Sequence, residues 1–290
     1  MTAAVRATFA VILARGLGTR LRAGGEGARG SDALDDAQAE AVARGAKGLV
    51  PVNGRPLLDF VLDELAQGGV RDVVFVVAPD DEAIRARYDD LAPPTRLRVR
   101  YAVQAEPRGT ADALLAAREA VCAPAGAPRD AKGTKHFLVC NADNLYSAFS
   151  VGALVALSGP GLVAFDAATL TADGAIDEER VRQFALLGLA ADDTLKEIVE
   201  KPAASHPLAR AKRRWVSMNL WRFTDSIFDH CAAVAPSLRG ELELADAVRA
   251  AIAGGTTFRA VRQRERVLDL SYRRDIAVLE RALAGRTPHP

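Results

Sequence analysis

The sequence is poor in the residues that staple a fold covalently or around a metal. Its three cysteines, Cys122, Cys140 and Cys231, are odd in number and widely spaced. That fits neither a disulfide framework nor a CxxC knuckle, and they read as buried thiols. The four histidines, His136, His206, His230 and His289, are equally scattered. No HExxH or paired-ligand spacing supports a structural zinc or a histidine-based triad, so they read as core or surface residues. Neither charge sign dominates: 38 Lys and Arg face 37 Asp and Glu, for a net charge of +1. No nucleic-acid partner and no polybasic membrane anchor is therefore expected, and any anion site must be local. No apolar run approaches the roughly 18 residues of a membrane span, and Met1 to Thr8 reaches its strand too soon for a signal segment, so the default expectation is cytoplasmic. There is no internal repeat and no long linker.

What is present is a chain of 290 residues, 49% hydrophobic, enough to bury a substantial core. Apolar runs and amphipathic segments alternate through its first half. Val11 to Leu13, Asp72 to Ala78, Leu97 to Gln104 and His136 to Asn141 read as strands. Leu57 to Gly68, about Asp81 to Leu91 and Thr110 to Val121 read as helices, the first opened by Pro56. Strand and helix in turn predict an α/β fold with a mixed, mostly parallel central sheet flanked by helices, Rossmann-like in layout.

The second half predicts a strand at Gly161 to Asp166 and an antiparallel pair, Arg182 to Leu189 with Thr194 to Glu200, turning at Ala191-Asp192-Asp193. It continues with a strand from Trp215 to Phe223 running into a helix through Cys231, and a helix from Glu243 to Ala253. Short strands at Phe258 to Val261 and Arg266 to Leu270 precede a closing helix from Arg273 to Ala284. The tail from Arg286 to Pro290 is expected to fray. Between Ala23 and Ala46 lies an Ala/Asp/Glu/Gln-rich segment that Asp32 and Gly45 would cap as a short helix. Its composition serves a lid over a site or a plain surface insertion equally well.

Ligands in such sheets sit beyond the carboxyl ends of strands, and there the sequence concentrates chemistry. Val11 to Arg22, VILARGLGTRLR, delivers Ala14, Gly16, Gly18, Thr19 and Arg20 to the end of a strand. Glycines let backbone N–H groups approach an anion and an arginine fork matches phosphate oxygens, although Gly-Leu-Gly by itself also serves ordinary strand-to-helix turns. Asp143, in Asn141-Ala142-Asp143-Asn144, and Asp269, after Val267-Leu268, are carboxylates at strand ends that suit a hard cation or, singly, a cap or turn. Gln104 precedes Pro107-Arg108-Gly109-Thr110-Ala111, a place to read a flat base edge. Glu200-Lys201-Pro202 ends a strand with an acid and a base that face either a ligand or solvent.

In order and spacing these pieces resemble the sugar-phosphate nucleotidyltransferases, the nucleotide-diphosphate-sugar pyrophosphorylases, to which glucose-1-phosphate thymidylyltransferases and uridylyltransferases belong. The matching stretches are Leu13 to Arg20, Lys47 with Leu49 to Val52 and Arg55 to Leu57, Gln104 with Pro107 to Leu114, the Asp143 strand end, Val199 to Pro202, Arg239 to Leu244 and Val267 to Asp269. The resemblance implies one nucleotidyltransferase domain over residues 1–290, similar to the glycosyltransferase-A fold and without a C-terminal β-helix. Its nucleotide-binding part would span about 7–145 and its sugar-binding part about 146–290.

The resemblance also implies roles and partners. A nucleoside triphosphate and a sugar-1-phosphate would give a nucleotide-diphosphate-sugar and pyrophosphate. Arg20 would contact the leaving phosphates, Lys47 the α-phosphate, and Gln104 and Gly109 the base. Asp143 and Asp269 would hold Mg2+, Glu200 would meet sugar hydroxyls, Lys201 the sugar phosphate, and Asn219 would line the sugar pocket. Ala14, Gly16, Gly18, Thr19 and Thr110 complete the expected substrate contacts, and a homo-oligomer is implied. Gly48, Ala142 and Leu270-Ser271 depart from the family's usual residues, so base and sugar identity do not transfer. Two other readings stay open: a non-catalytic regulatory protein that binds a nucleotide-sugar, and nucleotidyl transfer to a non-sugar phosphorylated alcohol.

Overall fold

The computed structural model describes residues 5–16, 18–23, 34–44, 47–172 and 176–290. Its strands, in chain order, are β1 (Phe9–Leu13), the short pair β2 (Pro51–Val52) and β3 (Arg55–Pro56), β4 (Asp72–Val77), β5 (Arg98–Val103), β6 (His136–Asn141), β7 (Asn144–Leu145), β8 (Gly161–Asp166), β9 (Ala185–Leu189), β10 (Leu195–Val199), β11 (Trp215–Thr224), β12 (Arg259–Gln263) and β13 (Leu268–Asp269).

The first half forms the parallel run β5-β4-β1-β6, with Leu13 level with both Val76 and Asn141. Sequences such as FAVIL and, after Asp72, VVFVV are apolar at every position because both sheet faces are covered. Alternation still sorts them. Ile12, Phe75 and Leu138 face a core completed by the helices Leu57–Gln67 and Ala148–Ala156, whereas Val11, Val74 and Val139 face one completed by Thr110–Ala116 and Leu244–Ala253.

β11 joins the two halves. It runs antiparallel to β6 through Trp221 to Thr224, to β9 through Trp215 to Ser217, and to β8 on its other side. A bulge between Ser217 and Trp221 lets one strand serve these different neighbours. The antiparallel pair of β9 and β10 forms as its sequence predicts, with Asp193 in the left-handed region at the turn.

Several boundaries shift for local reasons. The segment read as a helix from Asp81 to Leu91 is a single α turn, Glu82–Arg85, followed by a π-helical turn, Ala86–Leu91. In it Tyr88 donates to the buried Asp59 carboxylate at 2.9 Å. The helix from Thr110 breaks at Ala117 into Thr110–Ala116 and Arg118–Cys122. The strand expected from Arg182 begins at Ala185, because Asp177 caps a helix, Glu178–Val181, just before it. In the insertion the helix is Asp36–Ala43, capped by Asp35 in a reciprocal box with Gln38; Asp32 and Gly45 lie outside the described residues.

The helix Ala148–Ala156 is apolar nearly all round, so it carries no amphipathic period to read, and only its Ser147 cap is legible. The tail does not fray. Thr95 N–H donates to the Pro290 carbonyl at 2.8 Å, Arg286 pairs with Glu64 at 2.7 Å, and Pro288 is buried. Cys140 and Cys231 are buried thiols, whereas Cys122 is half-buried. No helix among the described residues is long and apolar enough to cross a membrane.

Candidate functional site

Because β1, β4, β5 and β6 are parallel, their carboxyl ends open on the same edge of the sheet. A cleft of about 450 Å³ lies there, walled by the residues that leave β1 (Leu13 to Gly16, and Thr19), by Gln104 after β5 and by Asn141 to Asp143 after β6. Lys47 and Gly48 close one side, and Pro107, Gly109, Thr110, Ala113 and Glu241 the other.

Two turns shape this cleft. Gly18, in the left-handed region, starts the helical turn Thr19–Arg22. Gly109 has φ +118°, and a Cβ there would come within 2.6 Å of the Leu242 backbone nitrogen and closer still to its carbonyl oxygen. The close approach has a purpose in the fold, since Leu242 N–H donates to Arg108 O at 2.7 Å and Ala111 N–H to Leu242 O at 2.8 Å. Leu244 N–H donates to Thr110 Oγ1 at 2.9 Å. The stretches Pro107 to Ala111 and Arg239 to Leu244, far apart in sequence, are thus one stitched wall.

Charge is distributed unevenly. Lys47 Nζ donates to Asp143 Oδ2 at 2.9 Å, with the two side chains 17% and 24% exposed, so this ion pair stands in the cleft and within reach of solvent. Asp269 lies one step away, since β13 pairs with β7 to set it against Asn144, and Leu270 N–H donates to Asp143 O at 2.9 Å. Its carboxylate is fully engaged. Arg180 and Ser271 Oγ donate to Oδ2, and Asn144 Nδ2 donates to Oδ1 at 2.8 Å. The Arg180 fork also grips Asp275 at 2.8 and 2.9 Å, and the Arg180 and Asp269 side chains are each only 5% exposed. Burial and the nearby Asp143 push the Asp269 carboxyl up, against the pull of Arg180.

Glu200 is pushed up to about 7, chiefly by burial and then by Glu243, with Arg239 and Arg249 opposing. That coupling places it beside the 239–244 wall, where Arg239 pairs with Glu243. Lys201, with φ +41°, and Asn219, with φ +59°, both hold left-handed backbone that is costly for residues with a side chain. Asn219 sits in the β11 bulge, and Tyr146 Oη, hydrogen-bonded to the neighbouring Met218 carbonyl, holds that bulge to the Asn144 region.

The cleft thus gathers Ala14, Gly16, Thr19, Lys47, Gln104, Gly109, Thr110 and Asp143 from the predicted set. Gly18, Arg20, Glu200, Lys201, Asn219 and Asp269 are not part of its lining. Arg20 is exposed on the Thr19–Arg22 turn. Sequence reasoning missed the roles of Arg15 and Glu241 in the lining and of Arg180 and Asn144 around Asp269. Arg15 was visible inside the glycine loop, whereas Arg180 stands on a short helix that carries no motif.

Comparison with known proteins agrees with this architecture. The UTP–glucose-1-phosphate uridylyltransferase AglF of Haloferax volcanii is 28% identical over 278 residues, covering 96% of this chain and 97% of that protein. The glucose-1-phosphate thymidylyltransferase of Streptomyces griseus is 30% identical over 254 residues, covering 87% of this chain and 59% of its own. A UDP-glucose pyrophosphorylase solved with UDP-glucose superposes with a TM-score of 0.70 over 95% of this chain and 98% of that one, at 16% identity, and so shares the fold. The family described as nucleotidyl transferase matches residues 42–270. A match that runs unbroken from the Lys47 turn through the ends of β5 and β6 to Asp269 makes this chain a member of the nucleotidyl transferase family.

Proposed function

We propose that the protein joins a nucleoside triphosphate to a sugar-1-phosphate, releasing pyrophosphate and a nucleotide-diphosphate-sugar. The observation that carries this reading is the shared cleft, in which a glycine loop, the Lys47–Asp143 pair and the Gln104–Gly109 wall meet at one sheet edge. Such a site has a base-reading end and a charged end, as the two parts of a nucleotide require.

A sugar phosphate oxygen is already an anionic nucleophile, so no general base is needed. The work is to bring two polyanions together and offset the charge that builds as the α-phosphorus is attacked in line. In this reading Gly16, Gly18 and Thr19 cradle phosphate with backbone N–H groups, Arg20 meets the leaving phosphates, and Lys47 turns from Asp143 to the α-phosphate. Gln104 and Gly109 hold the base, with Ala14 and Thr110 against the nucleoside. Asp143 fits a divalent cation, since its carboxylate faces the cleft with Lys47 as its only side-chain partner among the described residues. Asp269 fits only if Arg180 yields one of its oxygens, and otherwise it anchors the Asn144 turn beneath Asp143. Mg2+ held by Asp143 would supply charge neutralisation between phosphate oxygens.

The sugar end is assigned to the second half of the chain, about 146–290. Glu200 takes sugar hydroxyls, Lys201 the sugar phosphate and Asn219 the pocket wall. The left-handed backbone at Lys201 and Asn219 supports this, because such strain concentrates at ligand-holding positions. The decisive experiment is pyrophosphate release by the purified protein with Mg2+, across nucleoside triphosphates crossed with sugar-1-phosphates, with Asp143→Asn as the blank. Release with one pairing that the variant loses establishes the reaction. Nucleotide-sugar binding without release under any pairing would replace it with the regulatory reading.

A further inference from the structure

Asn141 closes β6 and lines the cleft in the same stretch as Asp143, yet the proposed reaction leaves it without a task. Its amide is not free to turn. The reason starts at the buried end of a hydrogen-bonded chain, where Arg180 donates to the Asp269 carboxylate. A carboxylate paired with an arginine only accepts, so Asn144, 3% exposed, must turn its Nδ2 toward Asp269 Oδ1, and it does so at 2.8 Å. That leaves Asn144 Oδ1 as an acceptor on the other side, and Asn141 Nδ2 donates to it at 3.0 Å. Each group fixes the orientation of the next.

The consequence appears at the cleft end. With Nδ2 turned inward to Asn144, the opposite corner of the same planar amide, Oδ1, is directed away from the buried chain. It receives no donor among the described residues and is not shut off from solvent. Asn141 therefore offers the cleft an amide oxygen close in sequence to Asp143, whose only side-chain partner among the described residues is Lys47.

Hard divalent cations are held by such oxygens, carboxylate and amide together, with phosphates and water completing the shell. Charge explains why an amide suits this place. A third carboxylate beside Asp143 and Asp269 would add repulsion toward an incoming triphosphate, whereas a neutral oxygen adds a ligand without adding charge. Asp269 itself, held by Arg180, Ser271 and Asn144, has no oxygen to spare unless that cluster opens.

We propose that Asn141 Oδ1 is a protein ligand of the divalent cation, in company with Asp143, while Asp269 orients this amide through Asn144. The inference rests on the reading that Asp143 holds the cation. It departs from the pair expected from the sequence, Asp143 with Asp269, by giving the second position to a side chain that no motif marks.

Mn2+ tests it without turnover, because it takes the same oxygen donors as Mg2+ and speeds the relaxation of water protons when it sits on a protein. The ion is titrated into the intact protein, alone and with UTP, in the wild type, Asn141→Leu, Asn141→Asp and Asp143→Asn. Asn141→Leu, which removes the oxygen and keeps the volume, is expected to weaken Mn2+ at least about fivefold, and Asn141→Asp to hold it at least as tightly as the wild type. Asp143→Asn should weaken it most. If Asn141→Leu binds Mn2+ like the wild type while Asp143→Asn does not, the cation stands without Asn141 and the proposal falls. An Asn141→Leu that keeps the ion but raises the KM for a substrate gives the oxygen to a substrate hydroxyl and overturns it too. Mn2+ binding unchanged in Asp143→Asn, or absent from the wild type with and without UTP, removes the reading beneath the proposal and the proposal with it. Thermal melts separate a folding defect in Asn141→Leu from a loss of binding. In that event Asn141→Asp carries the comparison, and a folded Asn141→Asp that loses Mn2+ overturns the assignment.

Discussion

Two carboxylates of the same sequence type, each an Asp at the end of a short apolar run, meet different fates. Asp143 is held by one flexible lysine in a cleft that solvent reaches, whereas Asp269 is buried under an arginine fork, a serine and an asparagine. A contact to a single ammonium that water can reach is exchanged at smaller cost than a buried one, because water replaces either partner. A buried, forked and fully hydrogen-bonded pair cannot be opened without stranding charge. The first region is therefore open to a ligand, as the proposed function requires, and the second is fixed beneath it.

That contrast breaks if the two carboxylates respond alike to mutation. Asp143→Asn is expected to lower pyrophosphate release by about a thousandfold or more while the melting temperature stays within a few degrees; a folding loss without a rate loss would reverse the assignment. Arg180→Met is expected to cost about 3–5 kcal/mol in denaturant unfolding, since Asp269 and Asp275 lose their shared countercharge. Adding Asp269→Asn and Asp275→Asn should restore most of it, and a single-variant loss below about 1 kcal/mol would show that the network is not structural.

Gly109→Ala probes the cleft wall across from Lys47. At φ +118° with the Leu242 backbone in the way, it should cost about 2 kcal/mol and raise the KM for the nucleoside triphosphate more than that for the sugar phosphate. The smallest effect is expected at Glu200. A carboxyl raised to about 7 keeps its proton in the folded state while the unfolded chain has released it, so stability falls as pH rises from the ordinary carboxyl range to about 7. Glu200→Gln should therefore gain a few degrees in melting temperature at pH 8 and little at pH 5. If ionised Glu200 accepts from sugar hydroxyls, the KM for the sugar phosphate falls in the wild type as pH rises through 7 and stays flat in Glu200→Gln.

Much of the frame was written in local pattern. Continuous apolar runs such as Val73 to Val77 declare a strand covered on both faces, and glycines at 18 and 109 mark where backbone must turn sharply or be approached closely. Those signals need only neighbours in sequence, so they put the strand ends, and with them Gln104 and Asp143, where the cleft forms. The helix Ala148–Ala156 was illegible because a segment apolar nearly all round has no period.

What tertiary structure alone decided is partnership. Arg180 reaches Asp269 across 89 residues and Leu242 closes on Gly109 across more than a hundred, and no local periodicity encodes which side chains meet once loops converge. The docked tail is the same case: Arg286 finds Glu64, a partner set by the packing of the helix Leu57–Gln67. The sequence by itself determined a mixed, mostly parallel α/β sheet and put Gln104 and Asp143 at the carboxyl ends of its strands, because strand period and turn chemistry are local properties. The folded chain decided which of two equivalent aspartates remains available, because desolvation and pairing depend on everything packed around them.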